Sequence, residues 1–409
     1  MKQRSWPFLA LLTLFAASPV LQAQALRGND LQIHQTLAPE QPVSDVGVAD
    51  DGRFVVVWTR LEGGTERAYF RLFGANGRPR TAPVRLASSG SQRTPRVAMA
   101  PSGAFVVVWE ANQQVFGRRF DAAGRPLGNR FPLSRGVETE SLPEVALAPD
   151  GRFLVAWSER VPSDTHNIQL FARWYASDGS PSAAFLVAND FESATHARIA
   201  IHASGGSALV FQGFGGENVF HDIYLQRYKP DGTVRAPRVQ VNTDEDTVSA
   251  DQLEATVALA DDGRCLVAWT DAAGDFLTDP TLPFEDIRGV RARLFRGDAS
   301  PLTESFAVNT FQTGEQHQPQ LALRPDGSFL VAWTSSAGQD GSGAGIFLRT
   351  LGRGGEILGD EVRGNLGTRG QQFLPALALA RSNFGVVAWT SQPRTSPGQG
   401  VFARRLTPN

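Results

Sequence analysis

Apolar and polar positions follow one cycle that returns roughly every fifty residues along most of the chain. In one copy, PEVALA at 143–148 leads through the turn PDG into RFLVAW, which ends at Trp157; LFARWY, SDGSP and AFLV follow. Fixed-period self-similarity of this kind is the signature of a repeat architecture, so the four apolar segments are read as strands A, B, C and D of one supersecondary unit. Strand B closes on an aromatic residue at Trp58, Trp109, Trp157, Phe211, Trp269, Trp333 and Trp389, in steps of 51, 48, 54, 58, 64 and 56 residues. Strand A begins near Val46, Val97, Val145, Ile199, Val257, Leu321 and Leu377, which makes seven copies.

Segments such as FVVVW, FLVAW and GVVAW are apolar at every position, so both faces of strand B are covered. A two-layer sandwich leaves one face wet, and a transmembrane barrel alternates apolar with polar residues. Small sheets set radially, each packed between two neighbours, bury their middle strands on both sides. The segment LQIHQT at 31–36 matches the D strands VQVNTD and FAVNTF, whereas the last copy stops after its C strand, VFARRL. The pattern therefore predicts an all-β, seven-bladed β-propeller of four-stranded blades. It is closed by the N-terminal segment as outer strand of the last blade, and residues 26–409 form one domain.

The unit P-x-V-A-x-x-P-D-G-x-F-x-V-x-W-T, with QDGSGAGIF and F-x-V-N-T, resembles a propeller repeat of exported bacterial proteins, many uncharacterised and some parts of large surface proteins. The resemblance spans nearly the whole chain after its first residues and implies the fold. It implies no activity, because such scaffolds host unrelated functions.

Composition adds a compartment. Lys2 and Arg4 precede the apolar run PFLALLTLFAASPV and Ala23-Gln24-Ala25, the order of a secretory signal peptide over residues 1–25. Export to the periplasm or cell exterior is expected, and no later run is long enough to predict membrane insertion. Without Lys2 and Arg4 the formal charge is about −4, which points away from nucleic acid. The single cysteine, Cys265, lies within CLVAW and reads as a buried small hydrophobe.

A residue repeated once per blade is spread around the ring, so repetition argues for scaffold. That assigns Arg71, Arg118, Arg173, Arg293, Arg349 and Arg404 of strand C to contacts between blades. A ring of cations for an acidic polymer is the functional alternative. Within a blade the A–B and C–D turns share one end and are short and repetitive; the B–C and D–A connections share the other and vary widely. Irregular loops on a rigid scaffold carry function, so the partner, a protein or a glycan, is expected at that face or the adjoining channel.

The long loops are acidic, with Asp271, Asp275, Asp279, Glu285 and Asp286 in one and Asp244, Glu245, Asp246 and Asp251 in another. Solvated turn charge is the first reading and no cofactor is required. Calcium is the second, with Asp271, Asp275, Asp279 and Asp340 as candidate ligands, although no D-x-D-x-D-G spacing is present. Paired carboxylates for glycosidic cleavage are a third. Copy four departs most from the pattern, with Phe211 for Trp and Gln226 for Arg. It also carries His196, His221, Asp222 and Tyr224, a set able to supply a general base, an orienting carboxylate and a phenol, as in a polysaccharide lyase. Drift of one repeat competes with that reading. The sequence contains no H-E-x-x-H, C-x-x-C, G-x-S-x-G or Walker loop. The leading expectation is a non-catalytic exported binding or scaffold module. The alternative is a carbohydrate-active enzyme, lyase or hydrolase, with its site in the channel near blades four and five.

Overall fold

Branched and aromatic side chains fill segment B of every copy, and such residues favour an extended, packed backbone. A computed structural model describes residues 25–36, 44–134, 142–161, 164–215, 218–243, 250–272, 288–336, 338–392 and 399–407, and contains no helix among them. The proposed leader therefore lies outside the described residues, apart from Ala25.

The first strand, β1 (Ala25–Thr36), precedes copy one, which forms β2 (Ser44–Val48), β3 (Phe54–Glu62), β4 (Thr65–Phe73) and β5 (Val84–Arg85). Copy two forms β6 (Arg93–Met99), β7 (Phe105–Ala111), β8 (Gln114–Phe120) and β9 (Phe131–Pro132). Copy three forms β10 (Glu144–Leu147), β11 (Phe153–Val161), β12 (Asp164–Tyr175) and β13 (Phe185–Ala188). Copy four forms β14 (Ser193–Ile201), β15 (Ser207–Gly215), β16 (Asn218–Tyr228) and β17 (Val234–Gln240). Copy five forms β18 (Gln252–Leu259), β19 (Cys265–Asp271), β20 (Gly289–Phe295) and β21 (Phe306–Ala307). Copy six forms β22 (Gln316–Leu323), β23 (Phe329–Ser335), β24 (Gly345–Leu351) and β25 (Ile357–Arg363). Copy seven forms β26 (Gln371–Leu379), β27 (Gly385–Gln392) and β28 (Gln399–Thr407).

Within each copy the strands pair antiparallel in sequence order, and β1 joins the last copy in a sheet ordered β1-β28-β27-β26. There Leu31 pairs with Ala403 and Thr36 with Gln399. Copies three and four are joined by a single parallel bridge between Ile168 and Ser193, so their strands form one eight-stranded sheet. The A strands touch in succession, β2 on β6 and onward to β22 on β26, and β26 packs on β2.

Strand B is the deepest part of each copy. Phe54 to Trp58 are fully buried, and all six strand-B tryptophans are between 0 and 2% exposed. Each apolar cluster draws on two neighbouring copies; one of them unites Val56 and Trp58 of copy one with Val386 and Val401 of copy seven. Every sheet is thus both wall and filling, which is why strand B has no polar face.

Four of the six strand-C arginines reach the neighbouring copy as the repetition predicts, while Arg118 bonds Gly128 O in its own turn and Arg173 lies over the Trp157 ring of its own copy. Arg349 donates to Val308 O at 2.7 Å in the preceding copy and to Gly359 O at 3.1 Å in its own turn. Arg293 reaches Val241 O at 2.9 Å, Arg404 reaches Gly364 O at 3.0 Å, and Arg71 reaches Ile33 O of β1 at 3.3 Å. These guanidinium groups are engaged by backbone carbonyls rather than held open for an acidic polymer. Cys265 is buried, and burial pushes its thiol up to about 11 against the opposing influence of Arg227.

Candidate functional site

The A strands carry a feature that the periodicity hides. At one repeat position the chain bulges, and the residue there takes a positive φ: Thr94 (45°), His196 (55°), Glu254 (55°), Gln318 (58°) and Leu374 (53°). Non-glycine residues avoid this region, so each bulge needs outside support. At three of them the preceding copy supplies it. Gln212 Oε1 accepts the Glu254 N–H at 2.9 Å, Glu254 Oε2 accepts the Gln318 N–H at 2.8 Å, and Gln318 Oε1 accepts the Leu374 N–H at 3.1 Å. The Glu254 carboxylate, which also accepts from Thr270 Oγ1 at 2.9 Å, is therefore part of a relay that binds copies four to seven.

His196 occupies the bulge position of copy four, with its Nδ1 3.0 Å from Thr195 Oγ1. Its side chain reaches water yet is ringed by protein, as a group lining a channel must be. That burial, then the charges of Arg198, His221 and Arg96, pull its pKa down to about 4, so the ring is neutral at pH 7. Two residues on, Arg198 bonds Glu144 at 3.2 Å, and Arg96 stands 3.7 Å from the same carboxylate. Burial raises the Glu144 carboxyl while Arg198 and Arg96 oppose it. Asp45 Oδ2 accepts the Val97 N–H at 2.8 Å, so Asp45, Arg96, Glu144 and Arg198 form a charged belt across copies one to four. The sequence reading missed this belt. Its signal was the residue just before the apolar pair of strand A, charged in those copies and uncharged in Thr256, Gln320 and Ala376.

The four candidates from copy four part into two groups. His221 Nδ1 lies 2.9 Å from Asp251 Oδ1, which also accepts the His221 N–H at 2.9 Å. Burial alone raises the Asp251 carboxyl, but the His221 hydrogen bonds and the Arg288 charge outweigh it and hold the group below the usual carboxylate range. The carboxylate that orients His221 is thus Asp251 rather than Asp222. Successive strand residues point to opposite faces, and Asp222 is buried, accepting from Asn242 Nδ2 at 2.8 Å. Tyr224 stacks on Phe211 at 5.6 Å, the relation Tyr69 has to Trp58 and Phe402 to Trp389. It fills a repeated scaffold position. Burial first, then Asp222, raises its phenol to about 12.

His221 therefore takes its partner from a loop and adds its charge to the surroundings of His196, while Asp222 and Tyr224 serve the sheet. Arg288 lies 3.9 Å from Glu315 at the same loop-side end. His317 is nearby, its pKa lowered by burial against the pull of Glu254 and Glu315.

The calcium candidates do not converge where they are described. Asp271 is buried, accepts from Gln252 Nε2 at 2.8 Å and has Arg291 at 4.0 Å. Asp340 accepts the Ser342 and Gly343 N–H groups at 3.0 and 3.3 Å and Asn365 Nδ2 at 3.2 Å. Asp275 and Asp279, with Asp244, Glu245, Asp246, Glu285 and Asp286, lie outside the described residues. Among the described residues no group of three or more His, Cys, Asp or Glu is placed to hold a metal ion.

No protein-family model matches the chain, and no curated protein matches it in sequence. Solved structures match its fold. The polysaccharide lyase Uly1 gives a TM-score of 0.56 at 10% identity, over 95% of this chain and 94% of that one. An ulvan lyase bound to -[GlcA(1-4)Rha3S]- gives 0.54 at 11%, over 90% and 95%. The β-propeller domain of the Trilobed protease from Pyrococcus furiosus gives 0.52 at 9%, over 90% and 94%. The fold is that of a β-propeller. At these identities the likeness extends to architecture alone.

The propeller has a second opening. A cavity of about 730 Å³ lies at the short-turn end of the inner strands of copies four to seven, walled by Ile199, Ile201, Leu259, Leu321 and Leu377. Charged groups and a histidine surround the same cavity, among them His202, Asp261, Asp262, Arg324 and Arg381.

Proposed function

We propose that the chain is a closed seven-bladed propeller, exported, that binds a glycan at the loop-side mouth of its channel beside copies four and five. Closure is supported by Arg71, which reaches the carbonyl of Ile33 as its counterparts reach Val241, Val308 and Gly364. The observation that carries the binding reading is the His221–Asp251 pair, whose charge reaches His196, imidazoles standing where copy five has Arg288 and Glu254, beside Arg198. A polyhydroxylated or uronate-bearing chain suits imidazole, guanidinium and carboxylate groups lining a water-filled opening. Calorimetric titration with a polysaccharide panel tests it: binding that weakens at least tenfold in His221→Ala is expected, and equal binding by wild type and variant overturns it.

One observation favours a catalytic version. His221 is oriented by the Asp251 carboxylate, the arrangement of a general base. In uronate elimination His221 takes the proton beside the uronate carboxylate, a carbon–carbon double bond forms as the glycosidic bond breaks, and the departing oxygen takes a proton from solvent. Appearance of unsaturated-uronate absorbance with any uronate polymer, abolished in His221→Ala, decides for the enzyme.

A further inference from the structure

We infer a second sugar-binding site on the opposite, short-turn face, in a cleft between copies three and four floored by Trp174. It goes beyond the channel reading and does not depend on it. The cleft measures about 360 Å³ and is lined by Trp174, Pro181, Phe185, Asp231 and Gly232 among others.

Trp174 stands where the other copies have Leu72, Arg119, Arg227, Leu294, Thr350 and Arg405. Three of those arginines cross to the next copy: Arg119 to Ser177 O, Arg227 to Gly263 O at 3.1 Å, and Arg405 to Ala75 O at 2.7 Å. An indole has no such reach, and where it replaces the arginine the seam between copies stays open as a cleft. Its Nε1 is buried without a hydrogen bond, with Gly232 close to that edge of the ring. Buried unpaired donors are uncommon and call for a reason.

The lining selects a neutral sugar. Trp174, Pro181 and Phe185 offer flat apolar surface to the C–H face of a pyranose. Asp231 uses Oδ1 for the Thr233 N–H at 2.9 Å and hydroxyl at 2.6 Å, which leaves Oδ2 for a sugar hydroxyl. The same bonds hold its carboxyl below the usual range, so it stays anionic and repels a uronate. Arg152 also lines the cleft; its guanidinium lies over the Trp174 ring, 5.8 Å from the centroid, and bonds Asp150 at 2.7 Å and Pro230 O at 2.9 Å, so its charge is taken up by protein partners and the sugar stacks on the ring surface it leaves open.

Trp174 also provides its own reporter. The sequence has eight tryptophans; six are the buried strand-B residues and Trp6 falls in the proposed leader. Titrating the protein with cellohexaose, xylohexaose and laminarihexaose should shift tryptophan emission for at least one of them, equally in wild type and His221→Ala. Calorimetry should then give at least tenfold weaker binding in Trp174→Ala and near-native binding in Trp174→Phe, with thermal melts showing all variants folded. A flat titration with all three sugars overturns the site. So does undiminished binding by Trp174→Ala, or a signal that vanishes in His221→Ala, which would assign the sugar to the channel instead.

Discussion

The carboxylate of Asp251 receives both the ring nitrogen and the backbone N–H of His221, 2.9 Å away in each case and thirty residues back in the chain. One side chain therefore anchors the D–A connection to the start of β16 and fixes the orientation of an imidazole at the channel mouth. Asp251→Asn keeps the shape and weakens the hold. Because the native carboxyl titrates below its unfolded value of about 3.9, its contribution is complete above that pH and is lost as pH falls further. The stability difference between wild type and Asp251→Asn in urea unfolding should be fully present at pH 5 and shrink towards pH 3.

His196 and His34 add a loss of stability on the same acid side of the profile, beginning at higher pH. Burial and then neighbouring arginine charge take each to about 4, and His34 stacks on Trp58 at 5.5 Å. An unfolded histidine takes its proton near pH 6.5, whereas these wait until about pH 4, so stability declines as pH falls through that interval and levels below it. Replacing both by neutral residues, His34→Phe with His196→Asn, should flatten the urea midpoint between pH 6.5 and 4. An unchanged slope counts against the shifted rings.

Arg349 tests the contact between copies. Its guanidinium is 7% exposed and bonded on two sides, so Arg349→Ala should cost about 1.5–3 kcal/mol. Arg349→Lys should recover little, since an ammonium cannot span two carbonyls in a fixed fork. Arg71→Ala removes the equivalent bond to β1, and limited proteolysis should then cut within residues 25–36 first.

Trp269 is fully buried, with its Nε1 2.7 Å from Gln252 Oε1. Trp269→Ala should cost about 3–5 kcal/mol in chemical unfolding, with a further penalty if Gln252 is left without a donor.

The scaffold was legible because its causes are local. Continuous apolar runs, glycine turns and a tryptophan at one register position follow from the burial of each sheet on both faces. The repetition rule also sorted four of the six arginines, and missed that Arg118 and Arg173 stay within their own copies. It failed to protect against Tyr224, because a tyrosine among phenylalanines does not look like the same position until it is seen stacked on Phe211. Asp222 was assigned to His221 by adjacency in sequence, yet neighbours in a strand face apart, and the true partner came from a loop. The charged belt of Asp45, Arg96, Glu144 and Arg198 escaped because its members lie about fifty residues apart and carry alternating signs, so no window of sequence contains them together. The cleft beneath Trp174 is a shape left by a missing side chain, and spacing alone does not reveal voids.

The hydrogen bonding of β1 to β28 also orders events in time. Strand β1 has no partner until β28, more than 360 residues further along the chain, has been made. Every earlier sheet is able to assemble while residues 25–36 wait, and a product cut short before Gln399 leaves two unsatisfied edges, one on β1 and one on β27.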